Sequence, residues 1–365
     1  MTLSQPDSSQ PEVTAPVFLA QARRHQTDTV PVWFMRQAGR ALPEYRAVRG
    51  TGSILEAVQK PELAAEITLQ PVRRYGVDAA VLYSDIIVPV NAIDFGVEIR
   101  PGKGPIVEHR FSSESDMKRF RALDPMSDIP YVIETIKLLK PELSVPLIGF
   151  AGAPFTVASY LIEGGPSKNF ERTKALMFQE PELWDRIMSA LSRLATEFLT
   201  AQLEAGVDAV QLFDSWAGAV SPRHYRELVL PYTRRVFESI ERYAVPRIHF
   251  GVGTSALISD MVDAPVEVLG LDWRVPISKA TEQTRGQVAL QGNLDPAICL
   301  SNWSTIETEA RQILKEASTA PGFIFNLGHG VLPETDPGLL SDLVQFIHSQ
   351  GRDLISANTE ETEPL

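Results

Sequence analysis

The chain has 365 residues, of which 44% are hydrophobic and 22% are charged. This composition is typical of a soluble globular protein with one large domain or two ordinary ones. Its 34 basic and 46 acidic side chains give a net charge of −12, which argues against broad binding to nucleic acid or to anionic membranes.

Both ends of the chain are predicted to be disordered tails. Residues 1–16, MTLSQPDSSQPEVTAP, have no basic start and no apolar segment, so they are not expected to be a signal peptide. Residues 353–365 close with the acidic, non-periodic ANTEETEPL. No apolar run approaches the length that spans a bilayer. The single cysteine, Cys299, cannot form an intrachain disulfide, and a reducing cytosol is the expected location.

Eight short runs of β-branched or aromatic residues, bounded by Gly, Pro or Asp, are predicted to be β-strands. The clearest helix between them, 181–205, starts at Pro181, ends before Gly206 and keeps one face apolar. GVDAAVLYSD (76–85) and GVDAVQLFDS (206–215) repeat one helix-to-strand pattern. The predicted strands are VWFM (32–35), AAVLYS (79–84), VPLIGFA (145–151), AVQLFD (209–214), RIHFGV (247–252), VLGLDW (268–273), VALQGN (288–293) and FIFNLG (323–328).

Alternating strands and helices predict parallel βαβ units, and eight such units predict a closed (β/α)8 TIM barrel, α/β in class. The barrel is expected to be a single domain over residues 17–352, with 86–115 as an excursion over its mouth. Catalytic groups of such barrels gather at the C-terminal ends of the strands. The polar residues at those ends are Arg36, Arg40, Ser84, Asp85, Asp214, Ser215, His249, Asp272, Asn293 and His329.

Two arginines follow the first predicted strand in the segment MRQAGR. Arg36 and Arg40 could simply pair with acids such as Glu44, and surface pairs of that kind contribute only about 0–1 kcal/mol. Alternatively, Gly39 would let the backbone approach a ligand, with exposed N–H groups beside two guanidinium groups that suit carboxylate or phosphate. The sequence favours the ligand-binding interpretation.

The acidic and hydroxyl candidates each have an ordinary structural alternative. Asp85 could be a helix N-cap, or a carboxylate that stabilises a cation in a pocket that contains arginines. Ser215 suggests a hydrolase nucleophile, but FDSWAG lacks the Gly-x-Ser-x-Gly turn, so a hydroxyl that binds a ligand is favoured.

The ring-bearing candidates are His329, His249 and Tyr160. His329 lies between two glycines in NLGHG, which suggests close approach of a ligand, although lone histidines are more often structural. His249 is expected to be a core residue, and Tyr160 could be core or could line the mouth. The chain has no Walker or dinucleotide-binding motif, no HExxH and no Cys-x-x-Cys, so no metal or organic cofactor is predicted.

Six segments in order resemble the uroporphyrinogen decarboxylase family, from about residue 17 to about residue 350. They are PVWFMRQAGRALPEYR (31–46), VLYSDI (81–86), GFAGAPFTVASYLIEGG (149–165), FDSWAG (213–218), QGNLDP (291–296) and NLGHG (326–330). The resemblance implies a barrel, a homodimer and the cofactor-free removal of the four acetate carboxylates of uroporphyrinogen III, which gives coproporphyrinogen III.

The resemblance also assigns residues. Arg36, Gln37, Ala38, Gly39 and Arg40 resemble the carboxylate-binding loop of the family. Asp85 resembles the aspartate that faces the pyrrole N–H groups, and Tyr160, Ser215 and His329 resemble further substrate contacts. This chain departs from the family pattern at Ala41, where an aromatic residue is common, and at Pro166, where Gly or Ser is usual.

The resemblance suggests a mechanism in which Asp85 stabilises a protonated pyrrole and Arg36 donates a proton or positions the reacting acetate. Two rivals stay open. A zinc-dependent methyltransferase of the same superfamily would use His and Cys ligands, for which Cys299 alone is a weak start. A non-catalytic tetrapyrrole carrier would share the pocket without needing Asp85.

Overall fold

The strands of this computed structural model form two sheets within the described residues, 15–100 and 104–362. Seven parallel strands make the larger sheet, in the order β1-β4-β5-β6-β7-β8-β9, and β2 pairs with β3 in an antiparallel hairpin. The bounds are β1 Ala80–Val81, β2 Val97–Arg100, β3 Gly104–Val107, β4 Leu147–Gly152, β5 Ala209–Asp214, β6 Arg247–Gly251, β7 Val268–Gly270, β8 Ala289–Leu294 and β9 Phe323–Leu327.

Helices separate the strands of the larger sheet, so the α/β architecture with parallel strands is confirmed. The α-helices are α1 Val17–Ala22, α2 Pro43–Arg49, α3 Ile54–Val58, α4 Pro61–Tyr75, α5 Val88–Ala92, α6 Pro125–Asp128, α7 Pro130–Leu139, α8 Pro154–Glu163, α9 Glu171–Gln179, α10 Pro181–Ala205, α11 Pro222–Leu228, α12 Leu230–Ile240, α13 Ile258–Met261, α14 Ile277–Thr284, α15 Trp303–Glu316 and α16 Pro337–Thr362. Short 3₁₀ helices span Glu114–Arg119, Ala217–Ala219, Glu241–Tyr243, Ile298–Leu300 and Ala317–Thr319.

Seven of the eight predicted strands are confirmed, and the prediction of a strand over 32–35 is wrong. That segment makes one isolated parallel bridge, between Val32 and Phe325 of β9. Phe325 N donates to Pro31 O at 2.8 Å, while on the other side Asp78 N donates to Val32 O at 2.8 Å. Pro31 has no N–H to extend a ladder, so the segment is extended and bonded on both sides without being a regular strand.

The repeated GVD segments perform the same structural task twice. Asp208, just before β5, donates its N–H to Leu147 O at 2.8 Å and accepts Leu147 N on Oδ2 at 2.9 Å. Asp78, just before β1, does the same with Val32, whose N lies 2.7 Å from Asp78 Oδ2. Val32 therefore bonds to the residue pattern before β1 in the same way as Leu147, the first residue of β4, bonds to the pattern before β5.

The helix predicted at 181–205 is confirmed as α10, Pro181–Ala205. Gly206 ends it in the left-handed conformation, with φ +115°, which glycine adopts without a Cβ clash. The apolar stripe of α10 is buried and packs against the rest of the molecule; it comprises Trp184, Ile187, Leu191, Leu194 and Phe198.

The stretch 86–115, predicted to be an excursion from the barrel, contains α5 and the β2–β3 hairpin. Val107 N donates to Gly164 O at 3.0 Å and Phe111 N donates to Leu161 O at 2.7 Å, so this excursion is fastened to the end of α8.

The chain ends differ in what can be compared with prediction. Residues 1–14 of the predicted N-terminal tail lie outside the described residues. At the other end, α16 continues to Thr362 instead of giving way to a disordered tail at 353. Leu354 and Ile355 pack against the core, which explains why the helix extends past the predicted boundary.

The inside of the curved sheet is closely packed and partly polar. Trp33 Nε1 donates to Gln291 Oε1 at 2.9 Å, and Gln291 Nε2 donates to Gln211 Oε1 at 3.1 Å. All three side chains are buried, so these bonds satisfy groups that would otherwise be costly to enclose. The sheet therefore curls far enough for side chains of β5 and β8 to meet.

Candidate active site

Arg36 lies at the tip of a tight turn that follows the extended segment. Its backbone has φ +58°, a left-handed conformation that costs a non-glycine residue about 1–3 kcal/mol. Gln37 holds the turn: its N donates to Phe34 O at 3.0 Å, its Oε1 accepts Phe34 N at 3.1 Å, and its Nε2 donates to Ala79 O at 3.0 Å. The side chain of Gln37 is fully buried, and its hydrogen bonds to the backbone of Phe34 and Ala79 hold the turn in place.

The guanidinium groups of Arg36 and Arg40 are free of acidic partners. Both residues are exposed, and none of the acids in the described residues lies within 4.0 Å of either one. Glu44 pairs instead with Arg74, at 3.2 Å, so the interpretation that Glu44 neutralises Arg36 or Arg40 is wrong. Gly39 fits because a Cβ there would lie 2.9 Å from Arg36 O.

Asp85 follows β1 and faces the charge of Arg36. Burial raises the pKa of its carboxyl, while the N–H of Ile87, the charge of Arg36 and the N–H of Ile86 act in the opposite direction. Asp85 Oδ1 accepts Ile87 N at 3.1 Å, but the residue that caps α5 is Ile87, so Asp85 makes an Asx turn and is not the N-cap.

Tyr160, in α8, lies at the same site. Its ring packs on Trp216 with centroids 3.9 Å apart. Burial and the negative charge of Asp85 raise the pKa of the Tyr160 phenol to about 12, against the opposing charge of Arg36. The phenol is therefore neutral at physiological pH and can donate a hydrogen bond.

His329 occupies the turn after β9, next to Arg36. A Cβ on the following residue, Gly330, would lie 2.4 Å from Arg36 Cδ, so the turn packs directly on the arginine stem. Burial and then the charge of Arg36 lower the pKa of His329 to about 4; Asp272 opposes this and Arg274 adds to it. The imidazole is consequently neutral at pH 7 and offers one N–H donor.

This ionisation state can be measured. The ring of His329 should titrate with a pKa about 4, well below the usual 6.5, in an NMR titration in which H329Q assigns the signal. Removing the positive charge at Arg36 should raise that pKa. A His329 that titrates at 6.5 or above in the unmodified protein would contradict this description of the site.

Ser215 joins the site through its neighbour. It follows β5 and precedes Trp216, the residue that stacks on Tyr160. Trp216 N donates to Thr156 Oγ1 at 3.3 Å, and that hydroxyl donates to Asp214 Oδ1 at 3.0 Å, which fixes this wall from behind.

His249 belongs to the protein interior, as the sequence predicts. It is fully buried, its ring centroid lies 5.6 Å from that of Phe237, and its Nε2 lies 3.5 Å from Asp214 Oδ2.

The structure therefore brings Asp85, Tyr160 and His329 around Arg36, whose charge acts on the pKa of each of the three. Arg40 lies on the same loop but is not one of the charges that shift the pKa of Asp85 or His329. Sequence reasoning missed Trp216 as a wall of the site, although its place in FDSWAG, next to Ser215, was an available signal.

A family model described as "Uroporphyrinogen decarboxylase (URO-D)" matches residues 14–350. The chain belongs to the uroporphyrinogen decarboxylase family. Its sequence is 52% identical over 347 residues to the uroporphyrinogen decarboxylase of Streptomyces avermitilis, covering 94% of this chain and 98% of the relative. It is 50% identical over 332 residues to that of Geobacillus kaustophilus, covering 91% of this chain and 96% of the relative.

Two solved structures of low sequence identity share the fold. A methyltransferase from Methanosarcina mazei superposes with a TM-score of 0.72 at 19% identity, covering 94% of this chain and 97% of its own. A B12-independent methionine synthase from Shewanella gives a TM-score of 0.56 at 14% identity, covering 84% and 92%. At these identities the likeness shows the architecture alone.

The two departures from the pattern of the uroporphyrinogen decarboxylase family lie beside the site and not in it. Ala41 is buried, and its carbonyl accepts Arg46 Nη1 at 3.1 Å. Pro166 is exposed, three residues past the end of α8. Neither position belongs to the group formed by Arg36, Asp85, Tyr160 and His329.

In the described part of the chain, no three His, Cys, Asp or Glu side chains come together so that they could hold a metal ion. Among the same residues, no helix is both long and apolar enough to cross a lipid bilayer. Cys299 is buried, and burial raises the pKa of its thiol to about 12.

Proposed function

We propose that this protein is a carboxy-lyase that removes the four acetate carboxylates of uroporphyrinogen III as CO₂, giving coproporphyrinogen III, without a cofactor. The observation that carries the proposal is a half-buried carboxyl, Asp85, that lies within the electrostatic influence of the exposed cation of Arg36, in a member of the uroporphyrinogen decarboxylase family. The carboxylate of Asp85 could stabilise a cation that forms on the substrate, and the guanidinium of Arg36 could bind a substrate carboxylate.

A single-domain, closed (β/α)8 barrel over residues 17–352 is the architecture that we propose for the site. The segment around Val32 supports it, because Pro31 O and Trp33 N bond to Phe325 of β9, while Val32 bonds to Asp78, just before β1. The extended segment 32–35 would then take the place of the eighth strand of the barrel, between β1 and β9. The C-terminal ends of the strands are where barrel enzymes carry their catalytic residues. In such a barrel this end would carry Arg36, Asp85 and His329.

The charge arrangement suits a polyanionic substrate. Uroporphyrinogen carries eight carboxylates, and a protein of net charge −12 repels it except where cations are concentrated. Arg36 and Arg40, which are exposed and have no acidic partner among the described residues, supply such a place, and guanidinium groups bind carboxylates through paired hydrogen bonds. The backbone of Ala38 and Gly39 between them completes the proposed carboxylate-binding loop, while Gln37 positions it from within.

The reaction needs an acceptor for the electrons of the broken C–C bond. Protonation of a ring carbon turns the pyrrole into an iminium-like cation. The carboxylate then leaves as CO₂, and the electrons of the broken C–C bond form an exocyclic double bond that neutralises the ring. A second proton adds to the exocyclic carbon that lost CO₂. Loss of the first proton restores the pyrrole, so each turn consumes one proton and converts an acetate arm into a methyl group.

The proposed role of Asp85 is to stabilise the protonated pyrrole. An ionised carboxylate that accepts the pyrrole N–H groups stabilises positive charge as it develops, and a preorganised group in a site that excludes water does so without reorganisation. Asp85 is half-buried, which reduces its contact with water, and the charge of Arg36 favours its ionised form.

The remaining residues are assigned to binding and positioning. A guanidinium group is a poor proton donor in chemistry but forms paired hydrogen bonds with carboxylates, so Arg36 is more suited to holding the reacting acetate. Arg40 would bind a neighbouring carboxylate. Neutral His329 and neutral Tyr160 would each donate a hydrogen bond, and Ser215 would contribute its hydroxyl.

An anaerobic assay tests the proposal. Purified chain in the presence of a chelator should convert uroporphyrinogen III into coproporphyrinogen III and release four CO₂ per substrate molecule. A non-catalytic carrier would bind the tetrapyrrole and release no CO₂, and that result would overturn the proposal. Zinc bound in stoichiometric amount to the purified protein would instead favour the methyltransferase alternative.

We also propose that the protein acts as a homodimer in the cytoplasm, as its family resemblance implies. Sedimentation equilibrium should then give twice the chain mass of 40.3 kDa. A mass equal to one chain at micromolar concentration would contradict the dimer.

A further inference from the structure

We propose that Arg274 is a further substrate-binding residue, which receives a peripheral carboxylate of the tetrapyrrole on the side of His329 opposite to Arg36. The inference rests on the proposed function and extends its binding site to the end of β7.

Two glycines place Arg274 at the site. In the turn Gly328–His329–Gly330, a Cβ on Gly330 would lie 2.4 Å from Arg36 Cδ. A Cβ on Gly328 would lie 2.5 Å from Trp273 N and 3.0 Å from Asp272 C. The turn that carries His329 is therefore packed between Arg36 on one side and the segment that leads into Arg274 on the other.

A rigid platform holds that segment. Asp272 is only 2% exposed, and its carboxylate accepts Gly253 N at 2.6 Å and Arg274 N at 3.2 Å. Asn293 Nδ2 donates to Asp272 O at 2.8 Å and to Val275 O at 2.7 Å, which ties the segment to β8. Such a bonded turn fixes the direction in which Arg274 leaves the backbone.

The guanidinium of Arg274 is anchored along one edge, and its other edge has no hydrogen-bond partner in the part of the chain that the structure describes. Its Nη1 donates to Asp272 Oδ2, and the group lies over the Trp273 ring, 4.2 Å from the centroid. The side chain is nevertheless 48% exposed, and a guanidinium carries five N–H donors, so part of the fork remains open. Stacking on an aromatic ring preorganises that open edge for a carboxylate.

The charge of Arg274 reaches the site already described. It is one of the cations that act on His329, together with Arg36. A tetrapyrrole has carboxylates around its whole rim, so a macrocycle centred on Asp85 and seated at Arg36 needs partners in more than one direction. Arg274 supplies such a partner from the end of β7, whereas Arg36 and Arg40 share a single loop elsewhere at the site.

The test compares R274Q with a matched control in the anaerobic assay. Arg226 is also an exposed arginine paired with a largely buried acid, Asp260, at 2.7 Å, but it lies on α11 and outside the site. We expect R274Q to raise KM for uroporphyrinogen about tenfold with kcat within about twofold, because a binding contact common to ground and transition states is lost. R226Q should leave both constants unchanged.

Further measurements keep the outcome unambiguous. R274K, which keeps the positive charge beside Asp272 but lacks the fork, should lie between R274Q and the unmodified enzyme, and it decides the matter if R274Q fails to fold. A rise in KM for the last intermediate, which retains only one acetate, would identify a propionate as the ligand. A rise confined to uroporphyrinogen would identify an acetate.

An unchanged KM in both Arg274 variants, with an active unmodified enzyme, would overturn the inference and leave the proposed function intact. Inactivity of the unmodified enzyme would overturn the proposed function itself.

Discussion

Replacing Asp85 with Asn should lower kcat by about 10²–10³, the usual cost of removing one preorganised electrostatic group, without lowering the melting temperature. The amide can still accept the N–H of Ile87, now 3.1 Å from Asp85 Oδ1, so the turn should survive. It cannot, however, offset the charge of a protonated pyrrole. Steady-state CO₂ release and thermal unfolding at pH 7 measure the two effects.

The sign of the stability effect follows from the raised pKa of Asp85. Its carboxyl is harder to ionise in the folded protein than in the unfolded chain, so above its folded pKa the charged form costs folding free energy. Asn removes that cost, and the melting temperature should stay level or rise.

A matched control separates the charge from the turn. D336N alters an exposed aspartate that makes the same kind of turn, with Oδ1 accepting Gly338 N at 2.8 Å, at the start of α16. It should leave turnover unchanged. Near-normal turnover by D85N would defeat the assignment of Asp85, whatever its melting temperature.

Replacing Arg36 with Gln should lower kcat/KM about ten- to a hundredfold and move the acid limb of its pH profile to higher pH. The loss reflects one charge-assisted hydrogen bond to a carboxylate, worth about 1.5–3 kcal/mol. The shift arises because the charge of Arg36 lowers the pKa of Asp85. If Asp85 acts in its ionised form, as we propose, activity is lost as pH falls through its pKa, and a higher pKa moves that loss to higher pH.

Two comparisons sharpen this second experiment. R36K keeps the charge and should leave the acid limb in place while still weakening binding through loss of the guanidinium fork. R40Q should raise KM without moving the limb, because the charge of Arg40 does not act on Asp85. An acid limb that moves equally in R36Q and R40Q, or in neither, would contradict the proposed pairing of Arg36 with Asp85.

The sequence predicted most of the elements because their signals are local. The bounds of β5 and α10 agree with prediction, since a buried apolar run and a helical stripe between Pro and Gly leave little choice. The segment 32–35 failed as a strand because its partners are set by distant residues, Phe325 and Asp78, and no local pattern reports how long a ladder becomes.

The same distinction applies to the candidate site. Arg36, Asp85 and His329 could be predicted together because each follows a buried run, and strand ends in a parallel sheet meet at one edge. The neutral state of His329 could not, since it depends on burial and on the charge of Arg36 across the fold. Arg274 was missed for the same reason, because its relation to His329 passes through the packing of Gly328.

We propose that Asp85 acts on the chemical step and that the arginines act on binding. Single-turnover CO₂ release, measured anaerobically at saturating enzyme, separates these roles most directly. With the bound fraction of substrate determined independently, D85N should bind uroporphyrinogen within about tenfold of the unmodified enzyme yet release the first CO₂ at least about a hundredfold more slowly. A variant that releases CO₂ at the normal rate once bound, or that fails only because it no longer binds, would contradict the account.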